Sequence, residues 1–483
     1  MEDRICLVYS AHELSPRAFE VLKTIKDESG YADIKFQPVV EGMRYADTKI
    51  LVFGSQKPDI YGVGVEYIHT YSIPQMMSKA NALTVVSSAL DLHFGEPSPM
   101  PSDFHAVRLV VTTIDELVSS GHLDYSLPTA IDIETSGNLG VTHTPEDVEV
   151  LTIALHQQNG TDLRTYVYSG NENDEYGGTD PMGQALLAEL ARDLPKFEKG
   201  IYHNGKFDTR VLNRVLSEAS GTFVKLNIWF DTMLAHHVLN HAAGLHGLKP
   251  LCQMYFGAEE WEADLSKYTK GGGHYELIPN RLLINYNGAD VYWTYRLWEF
   301  LAPQIEMDEN NQTAFELEMQ ASKMLLDMEM VGIPFHKDEA WKLKARKEAE
   351  AGTALMNLRE RSSKPGFNPN SPKQVKEHLL EMGVTVSSTD AKTLEALRAD
   401  VDDDSMVAYF IDDLMICRKA NKIIGTYVDG WAKHERGGRV RPTFLVHGTS
   451  TGRLSSSAPN AQNVPRDKDI RKIVTLYEGN SLG

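Results

Sequence analysis

The stretch AIDIETSG, residues 130–137, decides how the central part of this chain folds. Its two acidic residues, Asp132 and Glu134, lie two positions apart in an apolar run that is typical of a strand. Because side chains alternate between the two faces of a strand, both carboxylates are predicted to lie on one face. Two carboxylates placed in this way can share one metal ion. Taken alone, however, an aspartate near a strand end is more commonly a turn or cap residue.

Two further segments offer acidic residues. In HNGKFDTRVL, residues 203–212, Asn204 is a candidate helix cap and Asp208 falls in the first turn of the predicted helix. In NYNGADVYWTYRLW, residues 285–298, Tyr286 and Asp290 are four positions apart, so on a helix they share a face. Each has a structural explanation when considered singly, as a charge that complements the helix dipole or as a packing contact.

Together, the three segments resemble the DxE, NxxxD and YxxxD motifs of the DEDD 3′–5′ exonucleases, in the subtype that carries tyrosine. The resemblance implies a ribonuclease H-like domain that hydrolyses DNA with two divalent cations, Mg²⁺ or Mn²⁺, held by hard oxygen ligands. It also implies a role for each residue: Asp132 bridges both ions, Glu134 and Asp290 complete the first, Asp208 holds the second, Tyr286 orients the attacking water, and Asn204 supports the strand end and contacts the DNA.

A second kind of metal site is also conceivable in the sequence. Four histidines (His236, His237, His241 and His246) are predicted to lie on or near one helix, and the spacing of His237 and His241 can bind zinc. No cysteine pair or acidic residue nearby in the sequence completes such a site. We therefore expect these imidazoles to lie at the surface or to pack in the interior.

The C-terminal part of the chain is basic although the whole chain has a net charge of −19. Residues 418–472 contain twelve Lys or Arg against four Asp or Glu, and they include TGRLSSSAPNAQNVP at 451–465. That segment resembles a DNA-binding motif of family A (polymerase I type) DNA polymerases. Three further segments resemble parts of that family. EMQASKMLLDMEMVGIPF (318–335) resembles its entry helix, FNPNSPKQVKEHLLEMGV (367–384) its thumb, and RKANKIIGTYVDGW (418–431) the segment that returns from the thumb toward the palm.

The second resemblance implies contacts with a primer-template duplex. Arg453, Gln462 and Asn463 are suited to the minor groove, where hydrogen-bond acceptors are present on every base pair. Phosphate contacts, which position DNA without reading its sequence, are expected from Lys419, Lys422 and Ser455. The structural alternative is a solvated basic loop without a partner.

The predicted fold class is α/β, with a mostly helical C-terminal half. We expect a small α/β unit at 1–95, with strands at 5–10, 33–40 and 49–54 and a helix at about 74–94. A linker at 96–106 and an exonuclease domain at 107–302 follow. We expect a polymerase entry helix and thumb at 303–445, with long helices at 315–331 and 337–361, and the start of a palm at 446–483. No apolar run is long enough to cross a bilayer, and three widely spaced cysteines favour a reducing cytoplasm, that of the host cell if the gene belongs to a bacteriophage.

The sequence ends before the palm aspartates and the fingers helix that such polymerases use for nucleotide addition. We therefore expect a 3′–5′ exonuclease that proofreads single-stranded 3′ ends, and polymerase activity only with a second polypeptide that supplies palm and fingers. One alternative is a DNA-binding subunit that is active only after assembly. Another is an RNA-trimming exonuclease of the same superfamily, which the polymerase-type segments disfavour.

Overall fold

The computed structural model describes residues 104, 106–109, 112–137, 145, 147–159, 162–170, 177–241, 246–258, 260–269, 274–449 and 451–474. Before residue 104 it describes the strands alone. The chain divides into two compact units, one comprising Met1–Leu326 with Leu445–Leu454 and the other Asp327–Phe444 with Ser455–Gly483. The five-part division given above stays a prediction. In the described part of the chain, no helix is both long and apolar enough to cross a membrane.

The N-terminal strands form a parallel sheet in the order β2-β1-β4-β6, with β3 pairing β5. Their bounds are β1 Arg4–Ser10, β2 Ile34–Pro38, β3 Arg44–Ala46, β4 Lys49–Phe53, β5 Tyr61–Val63 and β6 Glu66–Thr70. The strands predicted at 5–10, 33–40 and 49–54 are thus confirmed. The helix predicted at 74–94 and most of the linker lie outside the described residues.

A mixed six-stranded sheet forms the centre of the first unit, in the order β12-β11-β8-β9-β10-β7. Its strands are β7 Val107–Leu109, β8 Thr129–Thr135, β9 Val150–Asn159, β10 Asp162–Ser169, β11 Gly200–Tyr202 and β12 Phe230–Asp231. Strands β8, β9 and β10 are antiparallel neighbours, whereas β11 runs parallel to β8 and β12. Residues 150–157 of β9 are buried, as expected of a central strand that is covered on both faces.

The helices up to residue 331 are α1 Ile114–Ser119, α2 Gln184–Asp193, α3 Gly205–Ser220, α4 Thr232–Leu239, α5 Leu248–Phe256, α6 Ser266–Thr269, α7 Asn280–Glu306 and α8 Glu309–Val331. Helix α7 packs against β8, β9 and β10. It approaches closely at Gly288, where an added Cβ would lie 2.5 Å from the Cβ of Ala106. A residue without a side chain is therefore needed at this point of the helix.

The second unit is mostly helical, as predicted. Its helices are α9 Lys337–Ser362, α10 Pro372–Glu381, α11 Ala391–Ala399, α12 Met406–Lys422, α13 Asp429–Ala432 and α14 Lys468–Lys472, and a π-helical turn, Ile423–Val428, follows α12. The strands are β13 Ile333–Pro334, β14 Glu435–Arg436, β15 Arg439–Val440, β16 Thr443–Leu445 and β17 Ser455–Ser457. The long helices predicted at 315–331 and 337–361 are observed within α8 and α9.

Candidate metal centre and its surroundings

Three carboxylates from two distant parts of the sequence meet at the end of strand β8. Oxygen atoms of Asp132, Glu134 and Asp290 all lie within 4.8 Å of one another. Asp132 and Glu134 come from the same face of β8, as the alternation in AIDIETSG predicts, while Asp290 comes from the middle of α7. This is the only group of metal-ligating side chains with that spacing among the described residues.

Asp208 lies in the first turn of α3 and is only 5% exposed. It is outside the group of three, but after burial its negative charge is the largest cause of the raised pKa of Asp132. Backbone N–H groups of Ile133 and of Asp208 itself favour the charged form of the Asp208 carboxylate. The fourth predicted acid is therefore close enough to the cluster to interact with it electrostatically.

The acids of this cluster disfavour one another's charged forms. Burial, followed by the charges of the neighbouring carboxylates, raises the pKa of Asp132 and of Glu134 well above their ordinary values. Burial likewise raises the pKa of Asp208 to about 8, against the opposing effect of its backbone hydrogen bonds. A pocket of carboxylates without cations is thus electrostatically unfavourable at neutral pH.

The donor set fits divalent cations. Its atoms are hard carboxylate oxygens, which Mg²⁺, Mn²⁺ and Ca²⁺ prefer over nitrogen or sulfur. Positive charge in the pocket would relieve the repulsion that raises these pKa values. The residues present are therefore suited to binding a divalent metal ion, and Asp132, Glu134 and Asp290 are the residues that would hold it.

Helix α7 contributes more to the pocket than the predicted tyrosine and aspartate. Tyr286 and Asp290 lie on one face of α7, and both are buried. Between them, Asn287 donates a hydrogen bond of 2.6 Å from Nδ2 to Asp132 Oδ2 and accepts one of 3.0 Å from the Thr152 hydroxyl. Asn287 thus fixes the orientation of Asp132. The sequence signal that could have identified it is its spacing, since it lies three residues before Asp290 on the same helix.

Two further side chains at the pocket were not identified from the sequence. Lys249, in the first turn of α5, donates a hydrogen bond of 2.6 Å from Nζ to the hydroxyl of Tyr286. Trp261 donates one of 2.6 Å from Nε1 to Asp290 Oδ1. Although burial opposes it, the charges of Asp290 and Glu262 raise the pKa of Lys249 above its ordinary value. Neither residue belongs to a recognisable motif, so only the folded chain shows where they lie.

Asn204 occupies the predicted cap position of helix α3, but its side chain does not provide the capping hydrogen bond. Its backbone is left-handed, with φ of 62°. Asp231 accepts hydrogen bonds from the backbone N–H groups of Asn204 and Gly205 at 3.1 and 2.9 Å. The same carboxylate caps α4 by accepting from Met233 and Leu234. A residue 27 positions away in sequence therefore replaces the expected local cap.

The histidines near α4 pack mainly in the interior. His236, His237 and His246 are buried, whereas His241 is exposed. Nδ1 of His236 lies 2.8 Å from Nδ1 of His246, and Nδ1 of His237 lies 2.8 Å from a carboxylate oxygen of Glu318. Within the residues that the structure describes, no set of three ligand atoms here reaches the 4.8 Å spacing of the carboxylates. The expectation of packed imidazoles agrees with this arrangement.

The residues predicted to contact duplex DNA are accessible. Arg453, Gln462 and Asn463 are exposed, as are Lys419 and Lys422 in the last turn of α12, and Ser455 is partly exposed.

The loop that carries Gln462 and Asn463 is held by a neighbouring serine. The buried hydroxyl of Ser456 accepts hydrogen bonds from the backbone N–H groups of Ala461 and Gln462 at 3.1 and 3.3 Å. The hydroxyl of Tyr427 donates to the carbonyl oxygen of Asn463 at 3.0 Å. The loop thus presents its polar side chains from a fixed backbone. Of the residues predicted to contact duplex DNA, Arg453 belongs to the first compact unit. The second unit contains Gln462, Asn463, Lys419, Lys422 and Ser455.

Comparison with known protein families finds two matches along the chain. Residues 128–306 match the family model described as 3′-5′ exonuclease, and residues 340–481 match that described as DNA polymerase family A. The first match contains all the carboxylates of the cluster. The second contains the basic loop and most of the helical second unit.

Relatives of similar sequence are found in phages and bacteria. The chain is 27% identical over 468 residues to a DNA polymerase of Escherichia phage T5, covering 88% of this chain and 53% of the phage protein. It is 30% identical over 310 residues to DNA polymerase I of Rhizobium leguminosarum, covering 62% of this chain and 29% of that protein. The chain therefore spans about half the length of the first relative and less of the second.

A solved structure of similar fold is the POL domain of Pol1 from M. smegmatis, in complex with DNA primer-template and dNTP. It superposes with a TM-score of 0.53 at 20% sequence identity, over 76% of this chain and 57% of that domain.

Proposed function

Because the chain belongs to the family A DNA polymerases with a 3′-5′ exonuclease domain and spans part of their length, we propose that its residues 128–306 form a divalent-metal-dependent exonuclease acting on the 3′ end of DNA. The observation that carries this proposal is the convergence of Asp132, Glu134 and Asp290 within 4.8 Å, with Asp208 beside them. A purely structural role does not require acids to gather in a pocket where burial and neighbouring carboxylates raise the pKa of Asp132 and of Glu134.

The proposed roles are those that the resemblance to the DEDD exonucleases implies. Asp132, Glu134, Asp290 and Asp208 would hold two divalent cations, Mg²⁺ or Mn²⁺. Asp132, which Asn287 orients, would be shared between them, Glu134 and Asp290 would complete the ligands of one, and Asp208 would hold the other. When bound, two such ions activate a water molecule and stabilise the leaving oxygen of an in-line displacement. The hydroxyl of Tyr286, at the edge of the pocket, positions the water that attacks the terminal phosphodiester.

The test is a digestion assay with the whole chain. Single-stranded DNA labelled at its 5′ end, incubated with Mg²⁺, is expected to shorten from the 3′ end. Asp132→Ala combined with Glu134→Ala should abolish shortening, whereas Asp264→Ala, at an exposed acid of the same unit, should leave the rate unchanged. Failure of the unchanged chain to shorten DNA would overturn the proposal. RNA of the same sequence serves as the competing substrate, and preferential RNA degradation would favour the trimming alternative.

A second candidate function is supported by the family A match over residues 340–481. On this alternative the chain is a DNA-binding part of a polymerase, which contacts the 3′ end and the primer-template duplex through Asn204, Arg453, Gln462, Asn463, Lys419, Lys422 and Ser455. The two-chain form of this alternative adds a second polypeptide that supplies palm and fingers residues for primer extension. Adding a polypeptide that carries the corresponding family A residues is expected to yield extension, and a mixture that stays inert while its nuclease works contradicts the two-chain arrangement.

A further inference from the structure

Lys249 places a positive charge at the edge of the carboxylate pocket. Its Nζ lies 2.6 Å from the hydroxyl of Tyr286, 3.2 Å from Glu262 Oε2 and 3.9 Å from Asp290 Oδ2. The side chain is 30% exposed, so the ammonium group faces both the pocket and solvent. No role described so far uses this residue, although its closest partner is the tyrosine proposed to position water.

The hydrogen bond between Lys249 and Tyr286 has a fixed direction. An ammonium group can donate but cannot accept, so the phenolic oxygen of Tyr286 must be the acceptor. The hydroxyl has a single proton of its own, which it must then give to an acceptor other than Lys249. The carboxylate of Asp290 and the hydroxyl of Tyr275 are neighbouring groups that can accept it, and so can a water molecule in the pocket. Lys249 thereby leaves Tyr286 with one proton to donate to a group other than the lysine.

The position of Lys249 is held from several sides. Its Nζ lies 4.7 Å from the ring centre of Tyr286 and 5.8 Å from that of Trp261, both within the range of cation–π attraction. Trp261 is also the donor to Asp290, and the next residue, Glu262, forms the ion pair with Lys249. The segment around residues 261–262 therefore fixes the lysine and the metal-binding aspartate together.

We propose that Lys249 is a positioning residue for the exonuclease reaction, which fixes the hydroxyl of Tyr286 as the donor that orients the attacking water. This inference rests on the function proposed above. The hydrogen bond has an electrostatic cost, because a positive charge 3.9 Å from Asp290 repels any cation that this carboxylate binds. Lys249 is therefore expected to favour turnover and to weaken metal affinity at the same time.

These opposite effects separate the inference from a merely structural role. Lys249→Met removes both the donor and the charge while keeping much of the apolar stem. We expect it to lower kcat by about 10- to 100-fold, with KM changed by less than about twofold. It should also tighten Mn²⁺ binding about three- to tenfold in the absence of DNA. If Lys249 only supported the fold, its removal would lower both kcat and the affinity for Mn²⁺.

The experiment uses the whole chain in six forms: unchanged, Lys249→Met, Lys249→Arg, Tyr286→Phe, the Lys249→Met/Tyr286→Phe double variant, and Lys267→Met as control. Lys267 is an exposed lysine of the same unit that lies over the ring of Tyr268. Steady-state digestion of single-stranded DNA gives kcat and KM, and calorimetric titration with Mn²⁺ gives metal affinity without DNA. Lys249→Arg should retain most of the activity, and the double variant should be no slower than Tyr286→Phe alone.

Three results would overturn the inference while leaving the proposed function intact. The first is a Lys249→Met variant whose kcat equals that of an active unchanged chain. The second is Mn²⁺ affinity that is unchanged or weakened by the substitution. The third is a double variant in which the two losses of kcat multiply, because Lys249 would then act independently of Tyr286. An unchanged chain that binds Mn²⁺ but does not digest DNA overturns the proposed function itself, and the role of Lys249 with it.

Discussion

Asp208→Asn should stabilise the metal-free protein, and increasingly so as the pH rises. The pKa of Asp208 is about 8 in the folded chain, against an ordinary value of 3.8. Between these values the folded protein binds a proton that the unfolded chain has lost. Stability therefore falls with rising pH across the window from about 4 to about 8, because the folded state must give up its extra proton. Asparagine has nearly the same shape but no charge to lose.

The size of the effect can be bounded from the pKa. A displacement of about 4 units corresponds to about 6 kcal/mol, which is an upper limit. Asp208 titrates together with the other acids of the cluster, so a single substitution removes only part of the shared repulsion. We expect a gain of about 1–3 kcal/mol at pH 8, seen as a rise of about 3–10 °C in the Tm of the first unit.

The assay is thermal unfolding, from pH 5 to pH 8.5, of protein kept free of metal by a chelator. Asp264→Asn, at an exposed acid, is the control. The difference in Tm between Asp208→Asn and the unchanged chain should grow with pH, while the Tm of the control follows that of the unchanged chain. With saturating Mn²⁺ the unchanged chain should have the higher Tm, because it gains more stability from the ion. Equal pH slopes for both proteins would refute the reasoning.

Three further predictions concern other contacts. Asn287→Ala removes the donor that orients Asp132 and should lower exonuclease kcat about 10-fold or more without unfolding the domain, measured by digestion and Tm together. Gly288→Ala should lower the Tm because α7 has no space for a Cβ there, whereas Gly352→Ala, whose added Cβ meets nothing within 4 Å, should raise it slightly. Combined Lys419→Ala and Lys422→Ala should make duplex binding less dependent on salt, with the slope of log K against log salt reduced by about 2.

The acids of the pocket could be predicted because their spacing reflects local geometry. The period of a strand places Asp132 and Glu134 together, and the period of a helix does the same for Tyr286 and Asp290. The approach of the carboxylates of Asp132, Glu134 and Asp290 to within 4.8 Å depends on the whole fold. It could still be anticipated, because the three acidic segments follow the order of the DEDD exonuclease motifs.

The surroundings of the pocket could not be predicted in the same way. Lys249 reaches Tyr286 across 37 positions of sequence, and Trp261 reaches Asp290 across 29, so no local period relates them. The cap position of Asn204 was predicted, but its hydrogen-bond partner was not, because Asp231 supplies the acceptor from a neighbouring strand. Contacts of this kind depend on how strands and helices pack, which the spacing of residues within one element does not encode.

The carboxylate of Asp231 anchors the beginnings of two helices, α3 and α4, through four backbone amides. Because Asp208 lies only four residues beyond Asn204, its placement depends on the side chain of Asp231, which is not itself a proposed ligand. Variation at Asp231 could therefore shift the spacing of the proposed ion-binding groups while every one of them is retained. In the proposed exonuclease, metal affinity would then change without any change of ligand.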